Sequence, residues 1–161
     1  MAIKVGDSLP PDIKLKEIGE GGPKDVTVGE LFKGKNVVLF AVPGAFTPTC
    51  SMKHLPGFLE SATAIKAKGV DEIICLSVND AFVMGAWGKA NNASGKVRMI
   101  ADGNGEFTKA VGLSLDASGF GMGLRSQRYA MIVRDGKVSD LFVEPSAGLS
   151  VSGAESVLSK L

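Results

Sequence analysis

Cysteine is scarce in this chain: its 161 residues include two, Cys50 and Cys75. Two thiols cannot build a disulfide-stapled scaffold or a four-thiolate metal site. Histidine is scarcer, with His54 alone, which excludes a multi-histidine metal centre made from this chain. An excess of one charge is also missing: 18 Lys and Arg stand against 17 Asp and Glu. With no basic run, that balance argues against a nucleic-acid surface or a polybasic membrane patch. Long apolar runs are absent, since Val37 to Val42 is far short of a membrane span. The start, Met1-Ala2-Ile3-Lys4-Val5-Gly6-Asp7, follows neither a signal-peptide nor a transit-peptide pattern. The expected location is therefore cytoplasmic, where both thiols stay reduced. The 21 glycines are scattered, so neither collagen nor a low-complexity linker is implied. What is present suits one domain over 1–161, because 45% hydrophobic residues at this length can bury a core.

The order of elements is legible from punctuation and periodicity. Gly19 to Pro23 reads as the loop of an N-terminal β-hairpin. Thr27 and Glu30 fit a capping box that opens a short helix ending near Gly34. Val37 to Val42 is a continuous apolar run, as expected of a strand buried on both faces. Helical spacing then runs from about Thr49 to Lys68, with Pro56 expected to end a first piece or kink it. Gly69 reads as its C′ residue, and Ile73 to Val78 as a second buried strand. Asn79-Asp80 can cap a helix from Ala81 to Ala90, with Trp87 on its core face. Val97 to Ile100 gives a third strand and Glu106 to Val111 a short helix. Arg128 to Val133, Asp135-Gly136 and Lys137 to Val143 form a β-hairpin on a type I′ turn. Ser152 and Glu155 read as a second capping box, opening a helix to Leu161. The fold class is thus α/β: a thioredoxin-like fold with a central mixed β-sheet flanked by helices on both faces.

The chemistry-bearing stretch is Pro43-Gly44-Ala45-Phe46-Thr47-Pro48-Thr49-Cys50-Ser51, between a buried strand and a helix. Cys50 falls in the first helical turn, where unpaired N–H groups and the positive dipole end stabilise a thiolate. The plainer alternative is a small buried hydrophobe. Thioredoxin-like redox proteins place C-x-x-C at this junction. Here Thr47 stands at the first cysteine position, which removes a built-in second thiol and leaves a hydroxyl able to donate and accept. Such a hydroxyl suits a nucleophile that attacks an O–O bond. Pro43 would close the loop over the thiolate and withhold a competing N–H. His54, four residues after Cys50, permits a Cys–His dyad of the hydrolase type, although packing beside the pocket suits it better. Gly119, Gly121 and Gly123 lack the strand-before, helix-after context of a phosphate loop and read as a flexible loop. No motif for a cofactor or metal is visible, and none is expected.

Pro43-x-x-x-Thr47-x-x-Cys50, within Pro-Gly-Ala-Phe-Thr-Pro-Thr-Cys-Ser, resembles the peroxiredoxin active-site signature, in its type II or peroxiredoxin-5 version. Collinear neighbours extend the resemblance over nearly the whole chain: Val5-Gly6-Asp7, Leu76-Ser77-Val78-Asn79-Asp80, Met84-Gly85-Ala86-Trp87 and Arg125-Ser126-Gln127-Arg128-Tyr129-Ala130. The resemblance implies a thiol-specific peroxidase that reduces hydrogen peroxide and alkyl hydroperoxides. Cys50 would become a sulfenic acid, Thr47 would hydrogen-bond the peroxide, Pro43 would shield the site and Arg128 would pair with the thiolate. The residues alone do not separate Arg128 from nearby Arg125. Phe46 and Phe120 match positions near a dimer interface in type II enzymes, so the resemblance also implies a homodimer.

Recycling is where the sequence departs from part of that family. Animal members carry a resolving cysteine in a Gly-Leu-Thr-Cys-Ser stretch, whereas Val151 stands there in Gly148-Leu149-Ser150-Val151-Ser152. The pattern is closer to plant, fungal and bacterial type II enzymes, which share a second cysteine where Cys75 stands. Cys75 is a possible resolving thiol, but the centre of a buried strand is a poor place for one. The expected partners are therefore a hydroperoxide and an external reductant: glutathione with glutaredoxin, or thioredoxin. The competing function is a redox sensor or relay that passes oxidation from Cys50 to a partner protein without turnover.

Overall fold

The apolar run at 37–42 lies in β3 (Asn36–Val42), and its side chains alternate between two cores. Val38, Phe40 and Val42 join one buried cluster, while Val37, Leu39 and Ala41 join the other. A strand covered on both faces has no solvent side to mark with polar residues, which is why its sequence shows no alternation. The computed structural model describes residues 2–146 and 148–161. Met1, at the head of the N-terminal stretch read above, lies outside them.

Parallel to β3 runs β4 (Glu72–Ser77), and parallel to β4 runs β5 (Arg98–Ala101). On the other side β8 (Tyr129–Arg134) is antiparallel to β3 and continues through a hairpin into β9 (Lys137–Val143). The N-terminal hairpin, β1 (Lys14–Gly19) and β2 (Gly22–Thr27), adds to the β5 edge. The seven-stranded mixed sheet therefore has the order β2-β1-β5-β4-β3-β8-β9. One face is covered by α2 (Leu55–Ala67), α3 (Ala81–Ala90) and α5 (Ala154–Leu158), the other by α1 (Val28–Phe32) and α4 (Glu106–Ala110).

Several local signals act as expected. Thr27 Oγ1 accepts from the Glu30 N–H at 3.1 Å, and Asp80 Oδ1 accepts from the Val83 N–H at 2.8 Å. Asp135 and Gly136 both have positive φ, at 50° and 77°, the signature of a type I′ turn whose twist matches the strands. The glycine-rich segment is a loop, joining two short strands that the sequence does not announce, β6 (Ser114–Asp116) and β7 (Leu124–Ser126).

One expectation is sharpened and another needs correction. The segment from Thr49 to Lys68 does divide next to Pro56, and its first piece, Cys50–His54, is a π-helical turn, with the Leu55 N–H reaching the Cys50 carbonyl, before α2 follows it. Pro56 lies in the first turn of α2, where its missing N–H costs least. The second capping box is absent. Gly153 is the N-cap of α5 and makes no side-chain cap, and α5 stops at Leu158 rather than Leu161. The Ser152 hydroxyl is committed to Glu144 Oε2 at 2.7 Å instead.

Candidate active site

Pro43 ends β3, and the chain turns through Gly44–Phe46 into the helix that carries Cys50. Gly44 sits in a tight space: a Cβ would stand 3.0 Å from Thr47 Cγ2, 3.1 Å from Met122 Cε and 3.3 Å from Arg125 Nη1, so these side chains would have to give way. Phe46 has φ 64°, a conformation rare for a bulky residue, which aims its ring outward. Asn79, just past β4, ties the loop down: its Oδ1 accepts from the Ala45 N–H at 3.0 Å and from the Ser77 hydroxyl at 2.6 Å. Thr47 donates its hydroxyl proton to the Gly44 carbonyl at 2.7 Å, so its oxygen keeps lone pairs to accept a further bond.

The π turn places Cys50 and His54 on one side, both buried, and both meet Arg128 at the start of β8. Arg128 Nη2 donates to Cys50 Sγ at 3.2 Å, and Nη1 donates to His54 Nδ1 at 3.0 Å. Arg128 is only 5% exposed, and its Nε has no partner among the described residues. Arg125 does not compete; its Nε donates to the Met122 carbonyl at 3.0 Å. Cys50 itself is fully buried. The structure thus joins Cys50 and Arg128 directly and sets Pro43 and Thr47 on the adjoining loop.

His54 is more than packing. An arginine can only donate, so Nδ1 must be the bare nitrogen and Nε2 must carry the proton. That proton goes to the Ser152 carbonyl at 2.9 Å. The ring sits in an apolar box, 5.0 Å from Phe40 and 5.6 Å from Phe58, which stack on each other at 4.1 Å. Burial is the largest reason the imidazole is pushed down to about 4, and the Arg128 charge acts the same way against the Ser152 carbonyl. A hydrolase dyad needs a histidine free to take the thiol proton, and this nitrogen is already occupied by Arg128.

Glu144, which follows β9, has no sequence signal pointing to the site. Its N–H donates to the Arg128 carbonyl at 3.0 Å. Glu144 is 7% exposed, and its carboxylate collects the N–H groups of Ser150, Val151 and Ser152 and both serine hydroxyls. Burial alone would raise its pKa, but these donors outweigh burial and hold it down to about 2.

These two groups set a pH dependence of stability. Unfolded imidazole charges near 6.5, whereas folded His54 resists until about 4. Across that window the unfolded chain binds the extra proton, so stability falls as pH drops. Glu144 adds a second limb between 4.5 and about 2, where the unfolded carboxyl protonates first. The urea midpoint of the protein is expected to fall on acidification through both windows. His54→Phe should flatten the upper one; an unchanged slope there would contradict the assignment.

Cys75 is centred in β4, paired with Phe40 and Met99, and shares the Cys50 side of the sheet. It is fully buried, and both cysteines are free thiols. Burial, and next the neighbouring Cys50, push the Cys75 thiol well above the usual thiol range. Trp87 is buried in the same core, and its indole N–H donates to Ser51 Oγ at 3.0 Å.

A buried thiol gripped by an arginine, at the strand-to-helix junction of a thioredoxin-like sheet, is the arrangement of a thiol-dependent oxidoreductase. Comparison with known proteins narrows the class. The Redoxin family model matches residues 4–158. Peroxiredoxin-2B of Arabidopsis thaliana is 49% identical over 160 residues, covering 99% of this chain and 98% of its own. Among solved structures, reduced Prx3 from Vibrio vulnificus in complex with hydrogen peroxide is 54% identical with a TM-score of 0.93, covering 98% of both chains. Peroxiredoxin 5 from Alvinella pompejana is 38% identical with a TM-score of 0.85, covering 97% of this chain and 96% of its own. The chain belongs to the peroxiredoxins, in their type II or peroxiredoxin-5-like branch, and is a thiol peroxidase that reduces peroxides. No helix among the described residues is long and apolar enough to cross a membrane.

Proposed function

We propose that Cys50 is the peroxidatic residue and that Arg128, Thr47 and Pro43 complete its site. The reading rests on one observation above the others: the Arg128 fork that donates to Cys50 Sγ at 3.2 Å. The Cys50 thiolate attacks one oxygen of a hydroperoxide. The S–O bond forms as the O–O bond breaks, sulfur loses two electrons, and the leaving oxygen takes a proton from solvent, in place of the one the thiol gave up on ionising, to depart as water or an alcohol. The products are a Cys50 sulfenic acid and the reduced peroxide. Arg128 stabilises negative charge first on sulfur and then on the leaving oxygen. The unpartnered Arg128 Nε is a donor suited to a peroxide oxygen. The Thr47 oxygen accepts a hydrogen bond from the peroxide O–H while its own proton is held by the Gly44 carbonyl, and Pro43 keeps water from the sulfur. The hydrogen peroxide bound to the Vibrio vulnificus relative supports the smallest substrate, and alkyl hydroperoxides share the same O–O chemistry.

Recycling then falls to an external thiol. Glutathione attacks the sulfenic sulfur, releasing water and leaving a mixed disulfide that glutaredoxin resolves; thioredoxin is the alternative reductant. Burial and a raised pKa make Cys75 a poor nucleophile for this step. We place the reaction in the reducing cytoplasm, as antioxidant defence by one domain spanning 1–161. The protein is read as a homodimer, with Phe46 at 56% and Phe120 at 87% exposure as apolar surface for the partner copy. The test is peroxide consumption by purified protein with each reductant system alone. Catalytic turnover is expected with an external thiol system, and Cys75→Ser should retain it within about twofold. Loss of turnover in Cys75→Ser would restore the intramolecular route, and stoichiometric oxidation without turnover would favour a redox relay.

A further inference from the structure

We propose that Glu144 is a positioning residue for the peroxidase reaction, holding the Arg128 guanidinium against Cys50 from both ends. The inference rests on the assignment of Cys50 and Arg128 given above.

The first hold is on the main chain. Tyr129 pairs with Val143 across the β8–β9 hairpin, so Arg128 and Glu144 face each other one step further on. There the Glu144 N–H donates to the Arg128 carbonyl at 3.0 Å. This contact fixes where the arginine side chain begins.

The second hold runs through the carboxylate. Oε1 accepts from Ser150 Oγ at 2.7 Å, and the Ser150 N–H is 3.0 Å from both oxygens. Oε2 accepts from the Val151 N–H at 2.8 Å and from the N–H and hydroxyl of Ser152, each at 2.7 Å. Three successive N–H groups wrapped on one buried anion leave little freedom to the peptide units they belong to. One of those units ends in the Ser152 carbonyl, which receives the His54 Nε2 proton at 2.9 Å. With that proton placed, His54 Nδ1 presents a lone pair to Arg128 Nη1 at 3.0 Å. Nη2 is left for Cys50 Sγ.

The contacts close a ring: Arg128 main chain, Glu144, the Ser150–Ser152 turn, His54, and back to the Arg128 side chain. If the turn loosens, the Ser152 carbonyl leaves His54, and the imidazole can rotate or move its proton to Nδ1. A protonated Nδ1 facing Nη1 would set donor against donor and drive the guanidinium off the sulfur. A clamp serving only the loop would have no need of the His54 contact, since Val151 is largely on the surface and the turn contributes no apolar side chain to either buried cluster.

His54 is the only histidine, so its ring signals in an NMR spectrum are unambiguous. The test compares wild type with Glu144→Gln in two measurements: solvent exchange of the His54 Nε2 proton, and the second-order rate constant of the reduced protein with hydrogen peroxide. Expected are exchange about tenfold faster and a rate constant about tenfold lower. In a His54→Phe background, which cuts the ring of contacts, Glu144→Gln should lower the rate constant no further. Unchanged exchange, faster exchange with an unchanged rate constant, or effects that multiply in the double variant would each overturn the proposal. Should Glu144→Gln fail to fold, Ser150→Ala combined with Ser152→Ala removes two donors and keeps the carboxylate. It should move both readouts about threefold in the same directions, and no movement would overturn the proposal. A wild-type protein whose Cys50 is inert to peroxide would instead sink the assignment of the reaction, while the exchange arm still decides whether Glu144 holds His54.

Discussion

Replacing Cys50 by serine is expected to lower peroxide turnover by about a thousandfold or more. The reaction needs a polarisable anion that can donate two electrons to an O–O bond. A thiolate is such an anion near neutral pH, and an alcohol is not ionised there. The substitution leaves the rest of the site nearly intact. Cys50 is fully buried, serine is slightly smaller, and its hydroxyl can accept the proton Arg128 Nη2 now directs at sulfur. Thermal unfolding should therefore shift by only a few degrees, which separates lost chemistry from lost structure. Consumption of hydrogen peroxide with saturating reductant reads the effect. Residual turnover above a tenth of wild type would mean that another group is the nucleophile. Cys75 is the remaining thiol, and its position inside β4 makes that outcome hard to reconcile with the fold.

The second large effect is expected at Arg128. Arg128→Lys keeps the charge and should still lower the rate constant with peroxide about a hundredfold. The guanidinium is a planar fork, with one nitrogen on Cys50 Sγ at 3.2 Å and another on His54 Nδ1 at 3.0 Å. An ammonium is a single point with a longer reach to satisfy, so it can serve the histidine or the sulfur but not both in the observed geometry. The loss should appear in the reaction of reduced protein with peroxide. Recycling of a preformed sulfenic acid by thiol should change far less, because there the leaving group is water rather than a developing oxyanion on the peroxide. A fall of less than threefold would mean that Arg128 supplies charge alone. Arg125→Lys is the matched control: its Nε is engaged by the Met122 carbonyl, so the rate should stay within a few-fold of wild type.

The parts of the fold that could be read from sequence are those decided within a few residues. Thr27 and Asp80 cap helices because a short oxygen side chain meets an N–H three positions on, a local geometry. Asp135-Gly136 makes its turn because both residues tolerate positive φ. Ser152 carries the same capping pattern as Thr27 and does something else, since a buried carboxylate eight positions earlier competes for its hydroxyl and offers a stronger, charged acceptor. Pro56 announces a break in the helix, but not that the piece before it is a π turn, nor that His54 on that turn meets Arg128, 74 residues away. The same distance explains why Arg125 and Arg128 look alike in the sequence: three residues apart, they are separated by what they reach, the Met122 carbonyl for Arg125 and Cys50 with His54 for Arg128. Glu144 shows least of all. A Glu-Pro pair after a strand reads as the strand's end, and its role depends on donors six to eight residues ahead.

Trp87 donates to Ser51, the residue next to Cys50, and its ring centre lies 6.3 Å from that of Phe46 on the loop before the helix. It is also the chain's only tryptophan. The protein's ultraviolet emission is therefore governed by one indole that bridges the two segments framing the sulfur. Any rearrangement of the π turn that accompanies oxidation or attack by a bulky thiol changes the surroundings of that indole. A change in the emission of this one indole on adding peroxide to the reduced protein, absent in Cys50→Ser, is the expected optical report of such a rearrangement, read in a stopped-flow fluorimeter without a dye or a coupling enzyme.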